Sequence, residues 1–138
     1  MNSMSQKRSV ALVAAAVFAV VPASAHHSFA ATYFEEQNIT VEGKVSAFLY
    51  RNPHSYVEME STDSRGATTK WIAEWFGSGR LSRVGVEPDT FKPGDQVIIT
   101  GAPGRDEKEH RLHLKTILRP SDGFKFDHMQ PYGGGRRR

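Results

Sequence analysis

The stretch Ile39–His54, ITVEGKVSAFLYRNPH, decides how the rest of the chain is read. Ile39, Val41, Gly43, Val45, Ala47 and Leu49 fall on one side of an extended backbone, and Thr40, Glu42, Lys44, Ser46, Phe48 and Tyr50 on the other. Successive side chains of a strand point to opposite faces, so this pattern predicts a half-buried β-strand with an apolar inner face. It is longer than the usual strand of about five or six residues. With Gly43 marking a place for a close bend, one such strand can serve two parts of a curled sheet. Asn52-Pro53 then turns the chain, since proline fixes φ and offers no amide donor.

Downstream, Ser55–Ser61 alternates again, with Val57 and Met59 opposed to Tyr56, Glu58 and Glu60. The short connection predicts that this second strand runs antiparallel to the first. Thr62–Ala67 is a polar hairpin loop, and Thr69–Phe76 a third strand rich in aromatic and β-branched residues. Arg80–Gly85 has room for one or two helical turns, with Leu81 and Val84 on one side and Gly85 as a stop. A turn at Phe91–Asp95 leads into a fourth strand, Gln96–Thr100, and Leu112–Arg119 alternates as a fifth. Five strands with one short helix between strands 3 and 4 is the element order of an OB-fold, a small, partly open Greek-key barrel. The fold class expected is therefore all-β, with residues 39–123 forming the barrel and residues 26–38 a lead-in in which Glu35–Asn38 is solvated. Residues 124–138, ending in Gly133-Gly134-Gly135 and three arginines, are expected to be a disordered tail.

The chain has 138 residues, enough for one domain, and no cysteine, which excludes a disulfide framework and a thiolate metal site. Residues 1–25 differ from the rest. Lys7 and Arg8 precede an apolar run from Val10 to Val21, and Ala23-Ser24-Ala25 follows. This is the order of a secretory signal with its cleavage site. The apolar run is well short of the ~20 residues that span a membrane. Cleavage after Ala25 would expose His26 as the new terminus and lower the formal charge from +3 to +1 by removing Lys7 and Arg8. The expected address is periplasmic or secreted, with no membrane span after cleavage. Much of the remaining basic charge is the Arg136–Arg138 tail, whereas a nucleic-acid partner would want a basic stripe on the folded domain, so none is expected.

Several motifs together resemble a group of short exported bacterial proteins known as a domain of unknown function. They are His26-His27-Ser28-Phe29-Ala30, Val41–Val45, Asn52-Pro53-His54, Trp71, Leu81–Gly85 and Phe91–Val97. The resemblance spans nearly the whole mature chain. It implies a periplasmic address, supports the barrel, and brings no catalytic residues with it.

Two constellations are candidates for function. A processed His26 carries a free α-amine beside its own imidazole, a pair able to close a chelate ring, and His27 adds a second imidazole. Nitrogen ligands of this kind suit Cu(II). The terminus is similar to the histidine brace of copper monooxygenases, and His54, at a proline-fixed turn, is the first choice for a further ligand, with His113 second. The plainer account leaves His26 and His27 in a flexible lead-in and His54 bonded within its turn. The other constellation is aromatic: Tyr50, Tyr56, Trp71 and Trp75, with Phe48, either pack the sheet or form a stacking face for a small molecule, oligosaccharide or protein partner. Nucleophile elbows and phosphate loops are absent. Three functions stay open: a non-enzymatic periplasmic binding or accessory module, a copper-binding protein using His26, His27 and His54, and a purely structural domain.

Overall fold

A computed structural model describes residues 29–128; the expected leader, His26, His27 and residues 129–138 lie outside the described residues. In chain order the elements are α1 (Phe29–Thr32), β1 (Ile39–Leu49), β2 (Tyr56–Thr62), β3 (Thr68–Glu74), α2 (Ser78–Arg83), β4 (Gln96–Pro103), a 3-10 turn (Glu107–Glu109), β5 (Arg111–Arg119) and β6 (Phe124–Asp127). The sheet order is β3-β2-β1-β4-β5-β6, and an additional parallel pairing of β3 with β5 closes the first five strands into a barrel. This is the OB-type barrel expected from the element order, with α2 between β3 and β4. Closure leaves no long unpaired edge among the five barrel strands.

β1 serves two parts of the barrel. Its first half, Ile39–Lys44, pairs with β4, and Lys44–Leu49 pairs with β2. Gly43 sits where these partners meet, and a Cβ there would stand 2.5 Å from the Glu60 carbonyl oxygen. One expectation fails within this strand. The register shifts between Val45 and Ala47, so Ser46 is an extra residue, and such a bulge reverses which face is inside. Phe48 packs on the core beyond it, edge-on to Phe91, while Leu49 is the large apolar side chain left exposed. The uniform inner face from Ile39 to Leu49 therefore holds only as far as Val45.

The core is built from Val41, Val45, Val57, Met59, Ala73, Trp75, Val97, Ile99, Leu112, Leu114 and Ile117. Leu81, Val86 and Phe91 from the α2 region close one end. The expected disordered tail begins too early: Phe124–Asp127 pairs with Thr116–Arg119 of β5 as a sixth strand. Phe126 is buried there, 5.0 Å from the Trp75 ring, and two phenylalanines spaced by one residue suffice to add a strand to an open edge. Among the described residues no helix is long and apolar enough to cross a membrane.

Candidate functional site

The loop that carries His54 is stapled from both sides. Ser55 is fully buried; its backbone bonds Phe76 and Trp75, and its hydroxyl donates to the Arg51 carbonyl while accepting from the Arg51 amide. The Asn52–Pro53 peptide within it is cis. His54 is thereby held over the outer face of the sheet where β2, β3 and β5 meet. Glu74 of β3 lies opposite Tyr56 of β2 and His113 of β5, so three polar residues share that patch.

Glu74 is the hub. Its carboxylate is buried and accepts from the Tyr33 hydroxyl and from His54 Nδ1 at 2.6 Å. The Tyr56 hydroxyl and Arg111 Nη2 each stand at 3.4 Å, the outer limit of hydrogen bonding. A buried charge is tolerated only when paired and hydrogen-bonded, and four surrounding donors meet that need. Glu74 interrupts an otherwise apolar run, Ala73-Glu74-Trp75-Phe76, and that interruption was the available sequence signal for it.

The lead-in covers this patch and is not merely solvated. Tyr33 is fully buried and bridges to Gly104, and the Phe34 amide donates to the Pro103 carbonyl. Glu35 accepts from His113 Nδ1 at 2.8 Å, while Lys115 Nζ donates to the Glu35 carbonyl at 2.7 Å and to Asn38 Oδ1 at 3.0 Å. Phe29 stacks face to face on His113 with ring centroids 3.7 Å apart, and lies 5.0 Å from the His54 ring. Both imidazoles thus give Nδ1 to a carboxylate, the arrangement that orients a metal-binding histidine and leaves Nε2 as its free nitrogen. They differ in access: the His54 side chain is 25% exposed and that of His113 is 9%. Among the described residues, no three His, Cys, Asp or Glu side chains gather closely enough to hold a metal ion.

Burial, reinforced by the hydrogen bond to Glu74, pushes the Tyr33 phenol well above its ordinary range. Its raised value in the folded state gives stability that is complete below the unfolded pKa of about 10 and lost as pH rises past it. Urea midpoints measured between pH 8 and 11 are expected to fall more steeply for the natural chain than for Tyr33→Phe. The difference opens above about pH 10, where it approaches one proton, about 1.4 kcal/mol per pH unit. Equal slopes would contradict the buried position of this phenol.

The four aromatic candidates do not form one face. Trp75, just past the end of β3, is fully buried and packs against Phe48, Phe91 and Phe126, so it is core and not a stacking platform. Tyr50 packs edge-on to Phe48 and donates to the Ser78 carbonyl at 3.0 Å. Tyr56 belongs to the Glu74 cluster, with the Arg51 guanidinium 5.0 Å over its ring. Trp71 lines open clefts.

The closed five-stranded topology defines an OB-type barrel. The chain belongs to a family of unknown function, DUF6152, whose profile matches residues 12–113. No curated protein matches the sequence significantly. Among solved structures the chain is similar to the mitochondrial single-stranded DNA-binding protein Rim1 of S. cerevisiae, at 13% identity and a TM-score of 0.44, over 59% of this chain and 91% of that one. It is similar also to the second single-stranded DNA-binding protein, SSBb, of Mycobacterium smegmatis, at 14% identity and a TM-score of 0.44, over 62% and 90%. Likeness at this level says nothing about what this chain binds.

Proposed function

We propose that this chain is a periplasmic, non-enzymatic accessory module that binds Cu(II) at its processed amino terminus. The α-amine and imidazole of His26 supply the chelate, His27 a further imidazole, and His54 Nε2 a ligand from the folded domain. The observation that carries this reading is the state of His54: partly open, with Nδ1 fixed by Glu74, beside a Phe29 ring that anchors the incoming chain. His113, covered by that ring, serves as the docking platform and not as a ligand. Imidazole and amine nitrogens favour Cu(II), which heads the affinity order of divalent first-row metals.

The test is a competitive Cu(II) titration of protein beginning at His26. One equivalent is expected to bind. His26→Ala, or acetylation of the His26 α-amine, is expected to weaken binding by more than about tenfold, which is ~1.4 kcal/mol. Unchanged affinity in both would overturn the proposal. His54→Gln is expected to weaken binding while leaving the His26 chelate in place.

A further inference from the structure

The two oxygens of the Glu74 carboxylate are divided between the lead-in and the loop that carries His54. Oε2 accepts from the Tyr33 hydroxyl, and Oε1 accepts from His54 Nδ1 at 2.6 Å. Both oxygens belong to one planar group, so the orientation that serves one donor sets the place of the other. Phe29 makes a second link between the same parts, its ring standing 5.0 Å from that of His54. Other contacts hold the lead-in without Glu74. The Arg105 amide donates to the Thr32 carbonyl at 2.9 Å and Arg105 Nε to the Ala30 carbonyl at 3.0 Å, with the guanidinium 4.4 Å over the Phe34 ring. Loss of the Tyr33 hydroxyl therefore cuts the link at Glu74 while these contacts to the segment remain.

A carboxylate bonded to Nδ1 orients a ligating imidazole and raises the basicity of its Nε2. Docking of the lead-in also brings Phe29, from which the chain runs back to His26, beside the His54 ring. That raises the effective concentration of the terminal chelate at His54. With the lead-in undocked, Glu74 Oε2 loses the Tyr33 donor and Phe29 leaves His54. Cu(II) shared by His26 and His54 thus binds the docked state more tightly, and a ligand shifts an equilibrium only by such a difference. Linkage makes the effect reciprocal: docking strengthens copper binding, and copper stabilises docking by the same factor.

We propose that copper binding and docking of the lead-in are coupled through Glu74, with Tyr33 a positioning residue that acts on the metal through Glu74 and His54. This inference rests on the copper reading above. Cu(II) titration and amide hydrogen exchange of protein beginning at His26 test it together. The Tyr33 amide donates to the Phe29 carbonyl and the Phe34 amide to the Pro103 carbonyl, so their exchange reports opening of the lead-in. Saturating Cu(II) is expected to slow both by about fivefold or more in the natural chain, and to leave them unchanged in His54→Gln. Tyr33→Phe keeps the buried ring and removes its hydroxyl, whereas Arg105→Ala removes an exposed side chain that holds Ala30 and Phe34. Each is expected to weaken Cu(II) binding by about fivefold, and to have no effect on it in the His54→Gln background. A merely structural role of Tyr33 gives losses of equal size in both backgrounds. That result, or exchange indifferent to bound copper, would overturn the coupling and leave the copper reading standing. Failure of Cu(II) to bind at all would overturn both.

Discussion

Trp75→Ala is expected to lower the stability of the folded chain by about 3–5 kcal/mol, the cost of emptying a core aromatic site. Trp75 is fully buried, and its ring lies 6.3 Å from Phe91 and 5.0 Å from Phe126, so it ties the α2 region and β6 into one core. Its indole nitrogen has no hydrogen-bond partner among the described residues. A ring without that nitrogen forfeits no bond and fills most of the site, so Trp75→Phe is expected to cost less than Trp75→Ala, mainly for the cavity left by the lost ring. Urea unfolding of the two variants checks both expectations. A small effect of Trp75→Ala would mean that the ring is accessible, and would restore it as a candidate for ligand stacking.

The second large effect is expected at Glu74. Glu74→Ala removes the common acceptor of Tyr33, His54 and Arg111, leaving the fully buried Tyr33 hydroxyl and the partly buried His54 and Arg111 donors without it. Breaking a buried charged network in this way costs about 3–5 kcal/mol. Glu74→Gln keeps the shape and one acceptor oxygen, and is expected to cost about 1–3 kcal/mol. The two variants also separate docking from global stability. Limited proteolysis under native conditions is expected to cut Glu74→Ala first in the lead-in near Tyr33. Resistance equal to that of the natural chain would show that the lead-in is held without Glu74, by its backbone bonds to Pro103 and Gly104 and its contacts with His113 and Lys115.

The barrel was legible because strand alternation is a local signal. Val57, Met59 and Leu112 are spaced as the core requires, and the long β1 announced its double pairing through Gly43. The Ser46 bulge was not legible, since Ser46, Ala47 and Phe48 continue the same alternation and only the partner strand reveals the extra residue. β6 was missed for a related reason: two phenylalanines among polar residues carry too little apolar content until an open β5 edge is present. At the candidate site, composition singled out His54 but could not pair it with Glu74, twenty residues away, or bring Tyr33 and Glu35 onto the same patch. The Tyr33 and Glu35 contacts depend on how the lead-in folds back, which no spacing encodes. The aromatic candidates separated because Trp75, immediately after β3, turns into the core, whereas Trp71, within β3, borders the clefts.

The histidine end of the barrel is the centre of this account, and the ligand set of bound copper tests it most directly. Electron paramagnetic resonance of the one-equivalent Cu(II) complex, prepared from protein starting at His26, is predicted to show a nitrogen-rich equatorial set. That spectrum should change in His54→Gln and be lost when the His26 α-amine is acetylated. Identical spectra from all three proteins would contradict it.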